Sequence, residues 1–306
     1  MYVFEKKDNF FQSLHPITLL SYLFVIVVGT IIVSNPIILA GIMVTVILAL
    51  AAAQSLSSWM RSLRIYLYMI IMLMIINTLI NNMGATVLWS GPIIPIFGRL
   101  TISLETIAFG LVMGLRLLIV FSAFILYNRV MDPDKALSVF SKVFPRSALL
   151  VALTTKTIPY MGQQLQRVAE IQQCRGVQYH TGGYVERIKN RLPLIKALLL
   201  SSLEDSFNLG ESIQARAYGS GPRSSYYTLS FNIRDVLALF FMVASFAVLI
   251  WAMIKGWAAM EFYPELGSPL SSSEHLMMIC VIVFFLFIPV IMAWGWKKWH
   301  YLRLKI

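Results

Sequence analysis

Six apolar runs restrict the folds open to this chain. Residues 17–33, 37–53, 65–80, 105–127, 236–254 and 276–296 each reach or approach the roughly 17–25 mostly apolar residues that carry a helix across a bilayer. Only Ser34-Asn35-Pro36 separates the first two, which marks a tight turn. A soluble domain is about half apolar and roughly a quarter charged, whereas here the hydrophobic share is 58% and the charged share 13%. The expected fold is an all-α integral membrane protein with about six transmembrane helices. The first run is read as a span rather than a cleaved leader, because no small-residue cleavage site follows it.

Charge distribution sets an expected orientation. Of the 25 basic residues, 22 fall on one side if both termini are cytoplasmic, which is the bias cytoplasmic loops carry. Arg99, Lys255 and Arg116 are the exceptions, and the loop after the fifth run is acidic, with Glu261, Glu265 and Glu274. A multi-pass protein of a cell membrane is expected, with the lipid bilayer as partner. This bias accounts for the net charge of +11. Nucleic-acid binding is not expected, since no basic patch is interleaved with aromatics. The cysteines Cys174 and Cys280 and the four scattered histidines show no metal or disulfide spacing, so neither a metal nor a cofactor is expected.

Three regions follow: a four-span stretch over 1–128, a coupling stretch over 129–234, and two spans over 235–306. Between the third and fourth runs, turn signals at Gly91-Pro92 and Gly98 predict a small external hairpin within 84–103.

The 129–234 stretch is too polar to span and too apolar to be a linker. Asp132 caps a predicted helix with Pro133 at its first position, and Pro145 ends it. A second helix is predicted over 147–175, with Pro159 expected to break or kink it. A third is predicted over 185–218, closed by Gly219-Ser220-Gly221-Pro222.

The two later helices share a pattern. Glu170-Ile-Gln-Gln173-Cys174-Arg175-Gly176 matches Glu211-Ser-Ile-Gln214-Ala215-Arg216-Ala217 at an offset of 41 residues. One arginine near a helix end is most simply a side chain that complements the helix dipole. Two matched copies point instead to paired docking, since a guanidinium beside small neighbours can enter a groove and hold a carboxylate with two hydrogen bonds.

With these motifs the chain resembles the transmembrane component of energy-coupling factor transporters, ABC-type importers of vitamins and metal ions. That family carries two Ala-Arg-Gly-type motifs on amphipathic cytoplasmic coupling helices, matched here by Cys174-Arg175-Gly176 and Ala215-Arg216-Ala217. Cys174 stands where alanine is usual and Ala217 where glycine is usual. After Arg216 the helix end is therefore expected to be less defined, with Gly219 supplying the cap.

The resemblance implies a non-catalytic subunit of a bacterial or archaeal membrane. Two ABC-type ATPase subunits would each take one coupling helix into a groove and pair with Arg175 or Arg216. Their motion would pass to a separate substrate-binding membrane subunit. In keeping with this, the chain has no GxxxxGK[ST] phosphate loop.

Arg116, inside the fourth run, is a candidate intramembrane functional residue or a bundle-bracing one. Gly110 and Gly114 read as a helix-packing face, and Trp294, Trp296 and Trp299 as an interface anchor. Two other classes fit the sequence less well. A self-sufficient secondary transporter would show broken spans in repeated halves, but the one repeat lies outside the runs. A membrane-embedded enzyme would need clustered acid–base groups, whereas Asp132 and Asp134 are explained as helix-start residues.

Overall fold

The computed structural model describes residues 10–81, 84–94, 98–177, 183–221, 231–263, 266–267 and 273–298. These form two compact units. One comprises Met1–Ala136 with Leu229–Ile306, so helices before and after the intervening segment share a core; the other is Leu137–Thr228.

In the first unit a short helix α1 (Phe10–Ser13) precedes α2 (Pro16–Ile32) and α3 (Pro36–Ala52). Both longer helices start the same way. Proline takes the first position, where no amide partner is needed, and the preceding His15 or Asn35 side chain accepts from the amide of Ile17 or Ile37. The long α4 (Leu56–Ile80) leads into strands β1 (Val87–Ile94) and β2 (Gly98–Ser103). These pair antiparallel as the predicted hairpin, with Val87 opposite Ser103 and Ile94 opposite Gly98. Ser103 and Thr106 then form a reciprocal capping box at the start of α5 (Leu104–Val130). Helix α6 (Pro133–Val143), in which the chain passes from the first unit to the second, has Asp132 accepting from the Asp134 amide, as its sequence predicts.

The second unit contains α7 (Pro145–Cys174) and α8 (Tyr184–Ala215). The chain returns to the first unit as α9 (Ile233–Ile254) and α10 (Ser273–Lys298).

In the first unit α2, α3, α5, α9 and α10 pack side by side. Ile26, Ile42, Ile119, Leu249 and Ile282 are buried among them almost completely. Exposed apolar side chains such as Phe24, Tyr68 and Phe240 ring this core, as suits a helical protein whose solvent is lipid. Four helices contain stretches long and apolar enough to cross a membrane: Leu56–Thr78, Leu104–Val130, Ile233–Ile254 and Leu276–Gly295. The shorter apolar helices α2 and α3 have 17 residues each, the lower end of the spanning range. The protein is an all-α membrane protein.

Helix α4 lies at the edge and packs mainly along α5. Gly110 and Gly114 allow that approach: a Cβ on Gly114 would sit 2.5 Å from Ile70 Cγ2, and one on Gly110 3.2 Å from Met74 Cγ. They act as a packing face.

Two expectations change. Helix α4 starts at Leu56, nine residues before the apolar run suggested, because its polar first turns (Ser57, Ser58, Arg61) lower hydropathy without interrupting helical bonding. Helix α7 continues through Pro159, so the break, one of the two outcomes expected there, does not occur. Proline removes one amide donor from the ladder, and a helix of 30 residues keeps its other bonds on both sides.

Candidate functional site

The site is built from the two ends of α7 and α8. At the end of α7, Arg175 occupies the capping position and its amide donates to Ile171 O and Gln172 O. Gly176 turns left-handed with φ 89°. Its amide donates to Gln173 O at 2.9 Å and the Val177 amide reaches back to Gln172 O at 3.1 Å. This paired closure is the Schellman motif, which satisfies carbonyls that a helix end otherwise leaves open.

Helix α8 ends with the same two closing bonds, displaced by 41 residues. The Arg216 amide donates to Ser212 O, the Ala217 amide to Gln214 O at 2.8 Å, and the Tyr218 amide to Ile213 O at 3.3 Å. Here Ala217 itself turns left-handed, with φ 53°. The expectation that Gly219 supplies this cap is therefore corrected. Gly219 is also left-handed, at φ 93°, but it lies in a following turn closed by the Ser220 amide on Ala217 O. Alanine has a Cβ and nothing beyond it, so its steric penalty in this region, roughly 1–2 kcal/mol, is one that two helix-closing bonds can offset.

Thus the sequence repeat is also a repeat of backbone geometry. In each copy the arginine is the last residue before the chain reverses. Arg175, Arg216, Glu170, Glu211, Cys174 and Ala215 are all exposed. Both arginines sit where a cation meets the partial negative charge of its helix C-terminus. Helices α7 and α8 pack against each other, and Gln164 Nε2 donates to Asp205 Oδ2 at 3.1 Å. These residues are also 41 apart, so each arginine lies 11 residues beyond the contact. At 1.5 Å per residue the two arms are each about 16 Å long. Exposed apolar side chains line the helices, among them Leu150, Val151 and Ile158 on α7 and Leu199, Leu203 and Phe207 on α8.

Arg116 is placed elsewhere, in the first unit. Its Nη2 donates to Val33 O at 2.8 Å and Ser34 Oγ at 3.4 Å, at the C-terminal end of α2. It therefore braces α5 against the α2–α3 turn. It also borders a groove of about 480 Å³ with Asn77, Asn81 and apolar side chains of α2, α4 and α5.

Two polar anchors escaped sequence reasoning because their partners are far apart in the chain. Asp235 Oδ1 accepts from the His15 amide at 2.7 Å and from Thr18 Oγ1 at 3.3 Å, tying α9 to the start of α2. Buried Glu105 accepts from the amide and hydroxyl of Thr86 through Oε1, tying the hairpin to α5. Tyr263, in the loop after α9, has its phenol pKa pushed up by burial, and the Glu105 carboxylate acts in the same direction. Among the described residues no three His, Cys, Asp or Glu side chains gather as a metal-binding group.

The fold and the paired helix ends define a membrane-embedded helical protein with a two-armed helical module. The chain belongs to the CbiQ family of cobalt transport proteins, whose model matches residues 7–228. This is the family of the transmembrane components of energy-coupling factor transporters. The chain is 23% identical to the energy-coupling factor transporter transmembrane protein EcfT of Streptococcus thermophilus over 256 residues, covering 80% of this chain and 94% of that one. It is 25% identical to EcfT of Lactobacillus helveticus over 38% of this chain and 42% of the relative. An uncharacterized Mycoplasma genitalium protein is 27% identical over 46% of this chain. The match spans about a third of that protein's length, 32%.

Proposed function

We propose that the chain is the transmembrane scaffold and coupling subunit of an energy-coupling factor importer. Two ABC-type ATPase subunits dock on the ends of α7 and α8, one on each. Arg175 and Arg216 enter their grooves and pair with acidic groups there. ATP-driven movement of the ATPases shifts the two arms, and the exposed apolar faces of α7 and α8 pass that shift to a separate substrate-binding membrane subunit. The cargo is a vitamin or metal ion bound by that other subunit. The chain itself is non-catalytic and crosses the membrane six times, with both termini and the α7–α8 module on the cytoplasmic side.

The observation carrying this reading is the repeated closure of the two helix ends, each presenting one exposed arginine at equal reach from the Gln164–Asp205 contact. Two equivalent ends suit two equivalent partners. Family membership supports the same reading.

The test is co-purification from membranes of the wild type and of Arg175→Glu/Arg216→Glu, with ATP hydrolysis and uptake assayed. The wild type should bring ATPases with it, and the double variant should lose them or hydrolyse ATP without uptake. A wild type that purifies alone and moves substrate on an ion gradient would establish a secondary transporter instead.

A further inference from the structure

Arg116 does more than brace the α2–α3 turn. It is a cation inside α5, within a stretch apolar enough to cross a membrane. Ionised side chains are rare in such stretches and mark a partner or a ligand. The hydrogen bonds of Arg116 all go to neutral groups: Nη2 donates to Val33 O and Ser34 Oγ, and Nη1 to Met113 Sδ at 3.4 Å. A thioether is a weak acceptor, and a guanidinium has five N–H groups to satisfy. The buried Nε makes no hydrogen bond. A charge in hydrocarbon with only dipoles around it is costly, and an anion of matching geometry lowers that cost.

The groove beside Arg116 has room for such an anion and for an apolar tail. Its volume of about 480 Å³ falls within the roughly 300–1,000 Å³ of small-ligand sites. Its floor is one face of α5, from Phe109 through Met113 and Arg116 to Val120. At 1.5 Å per residue that floor is about 16 Å long, close to half of the roughly 30 Å hydrocarbon core and so to the depth of one leaflet. A helix of that length and about 10 Å across would fill roughly 1,300 Å³, so the groove suits an acyl chain better than a partner helix. Ile31 on α2 and Ile76 and Ile80 on α4 form its rims and are 58%, 42% and 61% exposed, which leaves the groove open to surrounding lipid. Asn77 and Asn81 are the other polar side chains of the lining. Asn81 Nδ2 donates to Asn77 Oδ1 and Asn77 Nδ2 to Thr106 O, so both amides are held in place. They add dipoles but no counter-charge, and no carboxylate lines the groove.

We infer that this groove binds one anionic phospholipid. Its phosphate takes Arg116 Nη1 in place of the Met113 sulfur, and one acyl chain lies along α5 between α2 and α4. The inference requires that the chain be embedded in lipid and does not depend on ATPase docking. A free fatty acid also carries an anionic head on an acyl chain and is distinguished by the test.

The test uses the full chain purified in neutral detergent. Native mass spectrometry and thermal unfolding are followed during titration with phosphatidylglycerol, with phosphatidylcholine of the same acyl chains, and with the matching free fatty acid. Phosphatidylglycerol should give a retained one-lipid adduct and raise the unfolding temperature, and phosphatidylcholine should do neither. Arg116→Gln removes the charge and should weaken phosphatidylglycerol binding about tenfold or more. Ile76→Trp narrows the groove from an exposed rim and should also lose the adduct, so it decides if Arg116→Gln fails to fold. Arg64→Gln, which removes an exposed cation of α4 outside the groove, should keep it. Equal retention of the two phospholipids, or an adduct that survives Ile76→Trp, overturns the site. Preferential retention of the fatty acid, with displacement of phosphatidylglycerol, overturns the phospholipid assignment. No adduct in the wild type overturns lipid binding altogether and points to a carboxylate on a neighbouring membrane helix as the counter-group.

Discussion

The ends of α7 and α8 have the same hydrogen-bond pattern but different residues at the reversal. Helix α7 turns on Gly176, for which a left-handed backbone carries no steric penalty. Helix α8 turns on Ala217, for which it does. The two closing bonds are nonetheless repeated over the same 41-residue offset, so the two ends differ in the residue that reverses and not in the closure. Glycine is one way to achieve it.

The largest test of this equivalence is charge reversal at one arm at a time. Arg175→Glu and Arg216→Glu should each weaken ATPase association by a similar factor, roughly 30-fold or more, as for loss of one partner from a buried charge pair at 2–5 kcal/mol. A large effect at one arm and none at the other would break the comparison. Unequal but substantial effects would sharpen it, ranking the glycine end against the alanine end. Binding of purified ATPase to each variant in nanodiscs measures this.

Exchanging the reversal residues should have smaller and opposite effects. Gly176→Ala should destabilise the end of α7 by about 1 kcal/mol, and Ala217→Gly should stabilise the end of α8 by a similar amount. Hydrogen exchange of the Val177 and Tyr218 amides, which close the two ends, reports both. Faster exchange at Tyr218 in Ala217→Gly would contradict the account of the cap.

The smallest expected effect is at the contact between the arms. Asp205→Ala removes an exposed bond to Gln164, with a net value of about 0.5–1.5 kcal/mol at most. Stability should scarcely change. If the contact sets equal reach of the two arms, uptake per ATP should fall while ATPase binding persists.

Much of this was legible in the sequence because it rests on local rules. The apolar runs became helices, Asp132-Pro133 started α6, Gly91-Pro92 and Gly98 fell in a hairpin, and the 41-residue repeat became a repeat of geometry. What was not legible depends on more than local preference. Pro159 usually ends a helix, yet the remaining bonds of α7 carry the chain past it. Asp235 caps its own helix, but the amide it also meets belongs to His15, 220 residues away. The groove at Arg116 needs α2, α4 and α5 to converge, and in the sequence Asn77 and Asn81, which line it, look like interfacial residues at the end of a span. Ala217 was misread because residue identity alone sets a steric preference, whereas the hydrogen bonds available to the helix end decide whether it is obeyed.

The central claim is that the two arms meet equivalent ATPase partners. It is tested most directly by cross-linking from equivalent positions in native membranes. Cys174 is exposed beside Arg175, and its counterpart 41 residues on is Ala215. In a Cys280→Ser background, a short thiol–amine cross-linker should join Cys174 to an ATPase. With Cys174→Ala/Ala215→Cys, it should join the second arm to an ATPase with similar yield. Arg175→Glu should abolish the first product and leave the second. Cross-linking from one position alone, or from neither in membranes that contain the ATPases, would contradict the paired-docking account.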